Sequence, residues 1–124
     1  MRGSVAAARS LWFEVTLAAS AREGTGAVVL NVSSDAAVNA YPRWGAYGAS
    51  KAALRHMSDI WNAELEAEGI RFLAIDPGDM DTPMHALAAP DADPAELKKP
   101  ELAAQELVAA VSELLRTRST AGAI

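Results

Sequence analysis

The 124-residue chain has no cysteine. That removes any disulfide framework and any thiolate metal site, and it fits a reducing compartment, so a cytoplasmic location is expected. Positive charge is scarce: 11 Lys and Arg stand against 16 Asp and Glu, for a net charge of -5. A surface that tracks phosphates needs clustered Lys and Arg, and Lys98-Lys99 is too short a run to supply one. Nucleic acid is therefore not expected as a partner. No segment is long and apolar enough to span a bilayer, so no membrane partner is expected either. A Gly-rich phosphate turn between a strand and a helix is also missing, because Gly24-Thr25-Gly26 precedes a strand instead. Internal repeats, linkers and low-complexity stretches are absent.

With 51% hydrophobic residues the chain has material for a core, and its length allows one domain at most, over residues 1–124. The Ala-rich start, with Arg2 and Ala19-Ser20-Ala21, superficially resembles an export signal, but Glu14 interrupts it. Val5, Ala8, Trp12, Val15 and Ala19 recur at helical spacing, so an amphipathic helix over residues 3–22 explains the segment better.

Residues 27–32 form a short β-branched run without alternation, the pattern of a strand buried on both faces. Residues 33–44 lack a period, contain Pro42 and read as a connecting loop. Over residues 45–68 the apolar positions Leu54, Met57, Ile60, Trp61 and Leu65 form a stripe opposed by Arg55, Asp59, Asn62 and Glu66, which predicts a long helix ending at Gly69. Residues 70–75 read as a second buried strand, stopped by Asp76-Pro77-Gly78. A loop follows over 79–93. Asp93-Pro94-Ala95-Glu96 has the form of a capped helix start, and Pro100 opens a further helix to about Arg116. Residues 121–124 read as the beginning of a third strand.

Strand, helix, strand is a βαβ unit, and the order of elements predicts part of an open α/β sheet. Ligands of such sheets bind beyond the carboxyl ends of the strands. Ser34 follows the first strand and Pro77-Gly78 the second, while Tyr47 and Lys51 lie in the opening turns of the connecting helix. Four residues apart, the phenol and the ammonium share one helical face. A phenol ordinarily ionises near pH 10, and a neighbouring ammonium favours the phenolate, with a smaller push from the helix dipole. The outline is that of a proton-transfer site.

Asn31-Val32-Ser33-Ser34, Tyr47-Gly48-Ala49-Ser50-Lys51-Ala52-Ala53-Leu54 and Asp76-Pro77-Gly78-Asp79-Met80-Asp81-Thr82, in that order, resemble the catalytic half of the short-chain dehydrogenase/reductase family. The resemblance spans most of the chain. It implies a partial Rossmann-like, doubly wound parallel sheet, second half only, flanked by helices. It also implies hydride transfer between NAD or NADP and a small-molecule alcohol or carbonyl. Tyr47 would be the acid/base, Lys51 its activator and the holder of the nicotinamide ribose, and Ser34 the residue that orients the substrate oxygen. Pro77, Gly78 and Thr82 match positions that touch the nicotinamide end, so Tyr47, Lys51, Pro77, Gly78 and Thr82 make up the expected cofactor contacts. Members of the family begin with a strand, a Thr-Gly-x-x-x-Gly-x-Gly turn and a helix, which these residues do not contain, so a truncated domain that has lost cofactor binding is one expectation. The residue that distinguishes NAD from NADP belongs to that segment.

The family's habit of pairing helices between subunits implies a homo-oligomer through residues 3–22 and 45–68, with Trp12 and Trp61 contributing. An unpaired sheet edge would favour association as well. A non-catalytic dimerising remnant is the rival reading, and a piece of an epimerase or dehydratase of the extended branch a third. Asp79, Asp81, His85, Asp91 and Asp93 fit no metal-ligand spacing and read as a solvated acidic loop over the substrate cleft, so no metal is expected. Asn31-Val32-Ser33 is formally a glycosylation acceptor, but it falls in a buried strand.

Overall fold

The computed structural model describes residues 26–122, with side chains described as far as Thr117. The expected helix over 3–22, with Trp12, lies outside them, as do residues 123–124. Two strands, β1 (Ala27–Val32) and β2 (Ile70–Ile75), run parallel in register, from Ala27 beside Ile70 to Val32 beside Ile75. Helix α1 (Gly45–Leu65) connects them. A single 3₁₀ turn, Glu66–Glu68, tightens its end before Gly69, whose φ of 82° supplies the left-handed residue that closes a helix. The short helix α2 (Pro83–Ala88) and the long helix α3 (Pro100–Gly122) follow. These are elements of a partial Rossmann-like α/β arrangement.

Side chains alternate across a strand, so each strand serves two layers. On one face Ile70 and Phe72 are buried under α1, and Trp61 lies 5.5 Å from the Phe72 ring. On the other, Leu30 borders an apolar groove with Leu107, Val108 and Val111 of α3. Both faces of β1 are covered only in part: none of its residues is fully buried, against the expected burial on both faces, and Val32 is 42% exposed.

Polar pairs fix α1 on its strands. Asn31 Nδ2 donates to Ser58 Oγ at 2.9 Å, and Ser58, almost fully buried, donates on to the Leu54 carbonyl at 2.8 Å. Asn62 Oδ1 accepts the Phe72 backbone N–H at 2.9 Å, which satisfies a donor of β2 that no strand pairs with among the described residues. The sheet-facing side of α1 therefore runs through Leu54, Ser58, Trp61, Asn62 and Leu65. Met57 and Ile60, expected on the buried stripe, are about 40% exposed (41% and 42%), and Asn62, expected to face solvent, faces the sheet.

Four further expectations change. The loop over 33–44 contains a 3₁₀ turn, Asp35–Ala37, and that over 79–93 contains α2, capped by Thr82. The capped start at Asp93 yields only one turn, Pro94–Glu96, before the backbone extends at Leu97. Residues 121 and 122 continue α3 instead of starting a strand.

Candidate active site

The carboxyl ends of the two strands meet at one edge. The Ser33 N–H donates to the Ile75 carbonyl at 2.7 Å, carrying the ladder one residue past β1. Ser34 then caps the turn Asp35–Ala37, its Oγ accepting the Ala36 N–H at 3.2 Å. Its proton points to Asp35 Oδ1 over a long 3.4 Å. The other Asp35 oxygen accepts a hydrogen bond from the Tyr41 hydroxyl. That bond, with some burial and the Asp35 charge, holds the Tyr41 phenol above its ordinary range.

Tyr41-Pro42-Arg43-Trp44 is a tight turn closed by the Trp44 N–H on the Tyr41 carbonyl at 3.2 Å. Pro42 presets the second position, and Arg43 takes the left-handed conformation at the third, with φ of 74°. The turn stacks the rings: Tyr41 and Trp44 are 6.1 Å apart, and Trp44 meets Tyr47 edge-on at 5.5 Å and 84°. Trp44 also begins α1, so Tyr47 sits in its first turn and Lys51 one turn further.

Lys51 Nζ donates to the Val32 carbonyl at 2.9 Å and stands 5.8 Å from the centroid of the Tyr47 ring. The amine thus ties the start of α1 to the end of β1. Gly48 permits a second contact between them, because a Cβ there would meet the Ala36 carbonyl oxygen at 3.0 Å. Tyr47 is 36% exposed, and its hydroxyl has no hydrogen-bond partner among the described residues.

Beyond β2, the Asp76 carboxylate accepts the Gly78 N–H at 2.9 Å, and Gly78 adopts φ of 84°, so the chain turns sharply after the buried Pro77. Lys98 holds this turn from across the following excursion. Its Nζ donates to the Pro77 carbonyl at 2.8 Å and pairs with Glu106 of α3 at 2.6 Å. Its backbone bonds Asp79 and Asp81, each at 2.9 Å, beside a parallel bridge to Met80. Thr82 Oγ1 accepts the His85 N–H at 3.1 Å, and His85 Nε2 lies 3.9 Å from Asp79.

Of the expected site residues, Tyr47 and Lys51 lie side by side, and Lys51 reaches the backbone next to Ser33-Ser34. Ser34 and Tyr47 share the edge without a hydrogen bond between them. Pro77, Gly78 and Thr82 follow the neighbouring strand. Asp35, Tyr41, Trp44 and Lys98 were not singled out by the sequence; the Pro42-Arg43 dipeptide before the helix was the available signal for the ring stack, and Lys98 had none. Among the described residues, no group of three or more His, Asp or Glu side chains is placed to hold a metal ion, and no helix is long and apolar enough to cross a membrane.

The family model for the short chain dehydrogenases matches residues 9–93, well over half of the chain, and the chain belongs to that family. It is 40% identical over 63 residues to 2,3-dihydro-2,3-dihydroxybenzoate dehydrogenase of Escherichia coli, covering 51% of this chain and 25% of that protein. It is 43% identical over 56 residues to benzil reductase ((S)-benzoin forming) of Saccharomyces cerevisiae, covering 45% and 21%. An uncharacterized oxidoreductase of Schizosaccharomyces pombe is 43% identical over 63 residues, covering 51% and 24%. The chain thus spans between a fifth and a quarter of the length of these relatives (21–25%). No solved structure matches it.

Proposed function

We propose that residues 1–124 form one unit carrying the catalytic centre of an NAD(P)-dependent oxidoreductase that interconverts a small-molecule alcohol and its carbonyl. The observation that carries the reading is the Lys51 bond to the Val32 carbonyl, which brings the ammonium, the Tyr47 ring and the Ser34 turn to one sheet edge. Tyr47 exchanges a proton with the substrate oxygen, and Ser34 donates a hydrogen bond to the same oxygen and orients it. Lys51 places positive charge beside that exchange.

The residues fit the nicotinamide end of NAD or NADP. Lys51 uses one N–H on Val32 and keeps two for ribose hydroxyls. Gly78 turns the backbone at φ of 84°, with Lys98 Nζ 3.5 Å from where a Cβ would stand, and Thr82, an acceptor toward His85, keeps its own proton to donate. When bound, the nicotinamide gives or takes hydride at the substrate carbon. The half-exposed Met57 and Ile60 favour a homo-oligomer through α1, and the lack of cysteine fits the cytoplasm.

The test is nicotinamide-dependent turnover of a panel of alcohols and carbonyls, with a parallel titration of NADH and NADPH followed by nicotinamide fluorescence. Tyr47→Phe should lower turnover by about a hundredfold or more with an unchanged circular dichroism spectrum. Turnover retained in that variant would remove the mechanism.

A further inference from the structure

Only 6% of the residues are aromatic, yet both tyrosines and one of three tryptophans fall within residues 41–47. They do not build the core. Tyr41 is 44% exposed, Tyr47 is also exposed, and Trp44 is half-buried between them. Their order in space is an arc. It starts at Asp35, the neighbour of Ser34, passes through the Tyr41 hydroxyl and ring, crosses Trp44 and ends at Tyr47. The arc is held at every joint: by the Asp35 bond at one end, by the closed turn over Pro42-Arg43 in the middle and by α1 at the other. Holding these rings in fixed tilted and edge-on contacts yields little for the fold and leaves aromatic surface ready for a ligand.

We propose that Tyr41 and Trp44, with the ring of Tyr47, form an aromatic wall that selects substrates bearing a planar aryl group beside the reacting carbonyl or carbinol carbon. The proposal rests on the reading that Ser34 and Tyr47 hold the substrate oxygen. Ser34 neighbours one end of the arc and Tyr47 forms the other, so an oxygen held by both would set the group on the reacting carbon beside the rings. An aryl group gains offset or edge contacts there that a saturated ring of the same size does not. Asp35 acts through Tyr41 as a positioning residue, since its carboxylate fixes the outer ring.

The experiment compares acetophenone with cyclohexyl methyl ketone, which differ in aromaticity and little in size, by ligand-observed NMR titration of the chain without nicotinamide. Acetophenone should bind about two- to tenfold more tightly. Trp44→Leu should bring the two to parity, and Trp44→Phe should restore most of the preference. Equal binding of the two ketones, absent binding of acetophenone, or a preference that survives Trp44→Leu would overturn the wall. Should Trp44→Leu not fold, Tyr41→Leu and intermolecular Overhauser contacts between phenyl protons and the Trp44 indole decide the matter, and absent contacts reject the proposal. The preference needs no hydride transfer, so a failed turnover test in Tyr47→Phe and a failed wall give different results.

Discussion

Gly48 sits where α1 presses on the turn capped by Ser34, and replacing it by alanine sets two effects of known size against each other. Inside a helix, alanine is favoured over glycine by about 1 kcal/mol. Here the new methyl would meet the Ala36 carbonyl oxygen at 3.0 Å, and that oxygen belongs to the backbone of a buried residue in a single hydrogen-bonded turn. Relief requires moving the whole Ser34 turn. Overpacking of this kind costs roughly 1–3 kcal/mol. Gly48→Ala should therefore fall between neutral and about 2 kcal/mol destabilising.

Gly45 is the internal control, because nothing lies within 4 Å of a Cβ built there. Gly45→Ala should gain up to about 1 kcal/mol, less than at a mid-helix site because it opens the helix. Urea unfolding followed by far-ultraviolet circular dichroism compares the two midpoints at unchanged slope. Hydrogen exchange at the Ala36 amide, which Ser34 Oγ accepts, reports where the strain goes and should accelerate in Gly48→Ala alone. If Gly48→Ala stabilises the chain as much as Gly45→Ala does, helix and turn are not in contact and the geometry assigned to Ser34 is wrong.

Two other outcomes follow from bonds near the site. Lys98→Met leaves the carbonyl of buried Pro77 without its donor and should lower stability by about 1–2 kcal/mol, with Glu106→Gln costing less because that partner is half in water; equal effects in a urea melt would reject Lys98 as the clamp on the turn. Tyr41 is held protonated by Asp35, so its bond contributes stability at and below the ordinary phenol value of 10.0 and loses it as pH rises through the raised value. Phenolate absorbance should show a late-titrating group that Tyr41→Phe abolishes, and the stability gap between the two proteins should close on the alkaline side; a late group that persists in Tyr41→Phe contradicts the assignment.

The strands and the long helix were legible because partial cover on both faces leaves a β-branched run and cover on one leaves a stripe. Gly69 and Pro100 marked boundaries by backbone constraint alone. The rotation of α1 was not legible. Hydropathy assigned Met57 and Ile60 to the core and Asn62 to water, whereas Ser58 and Asn62 face the strands through hydrogen bonds that no apolar count registers. The end of α3 was misread for a similar reason: Ala121-Gly122 looks like a strand start, but helical bonding persists through it. At the site, Ser34, Tyr47 and Lys51 stood out because their spacing maps onto one strand end and one helix face. Lys98 did not, since its partners Pro77 and Glu106 lie 21 residues before it and 8 after, and only the folded excursion brings them together.

Under the proposed reading Ser34 has two tasks that compete for one hydroxyl, and its neighbours reconcile them. Capping uses a lone pair, to accept the Ala36 N–H, whereas orienting a substrate oxygen needs the proton. That proton already has an acceptor in Asp35, and a carboxylate outcompetes a neutral carbonyl when the geometry is good. The geometry is poor: the contact is long at 3.4 Å, while the Tyr41 hydroxyl donates to the other carboxylate oxygen. A carboxylate satisfied by a phenol has less demand for a second, weaker donor, so the Ser34 proton is free to turn toward an arriving oxygen. Under the proposed reading, Tyr41→Phe would return Asp35 to Ser34 and raise KM for the carbonyl substrate, and the Asp35→Asn, Tyr41→Phe double variant would recover part of the loss.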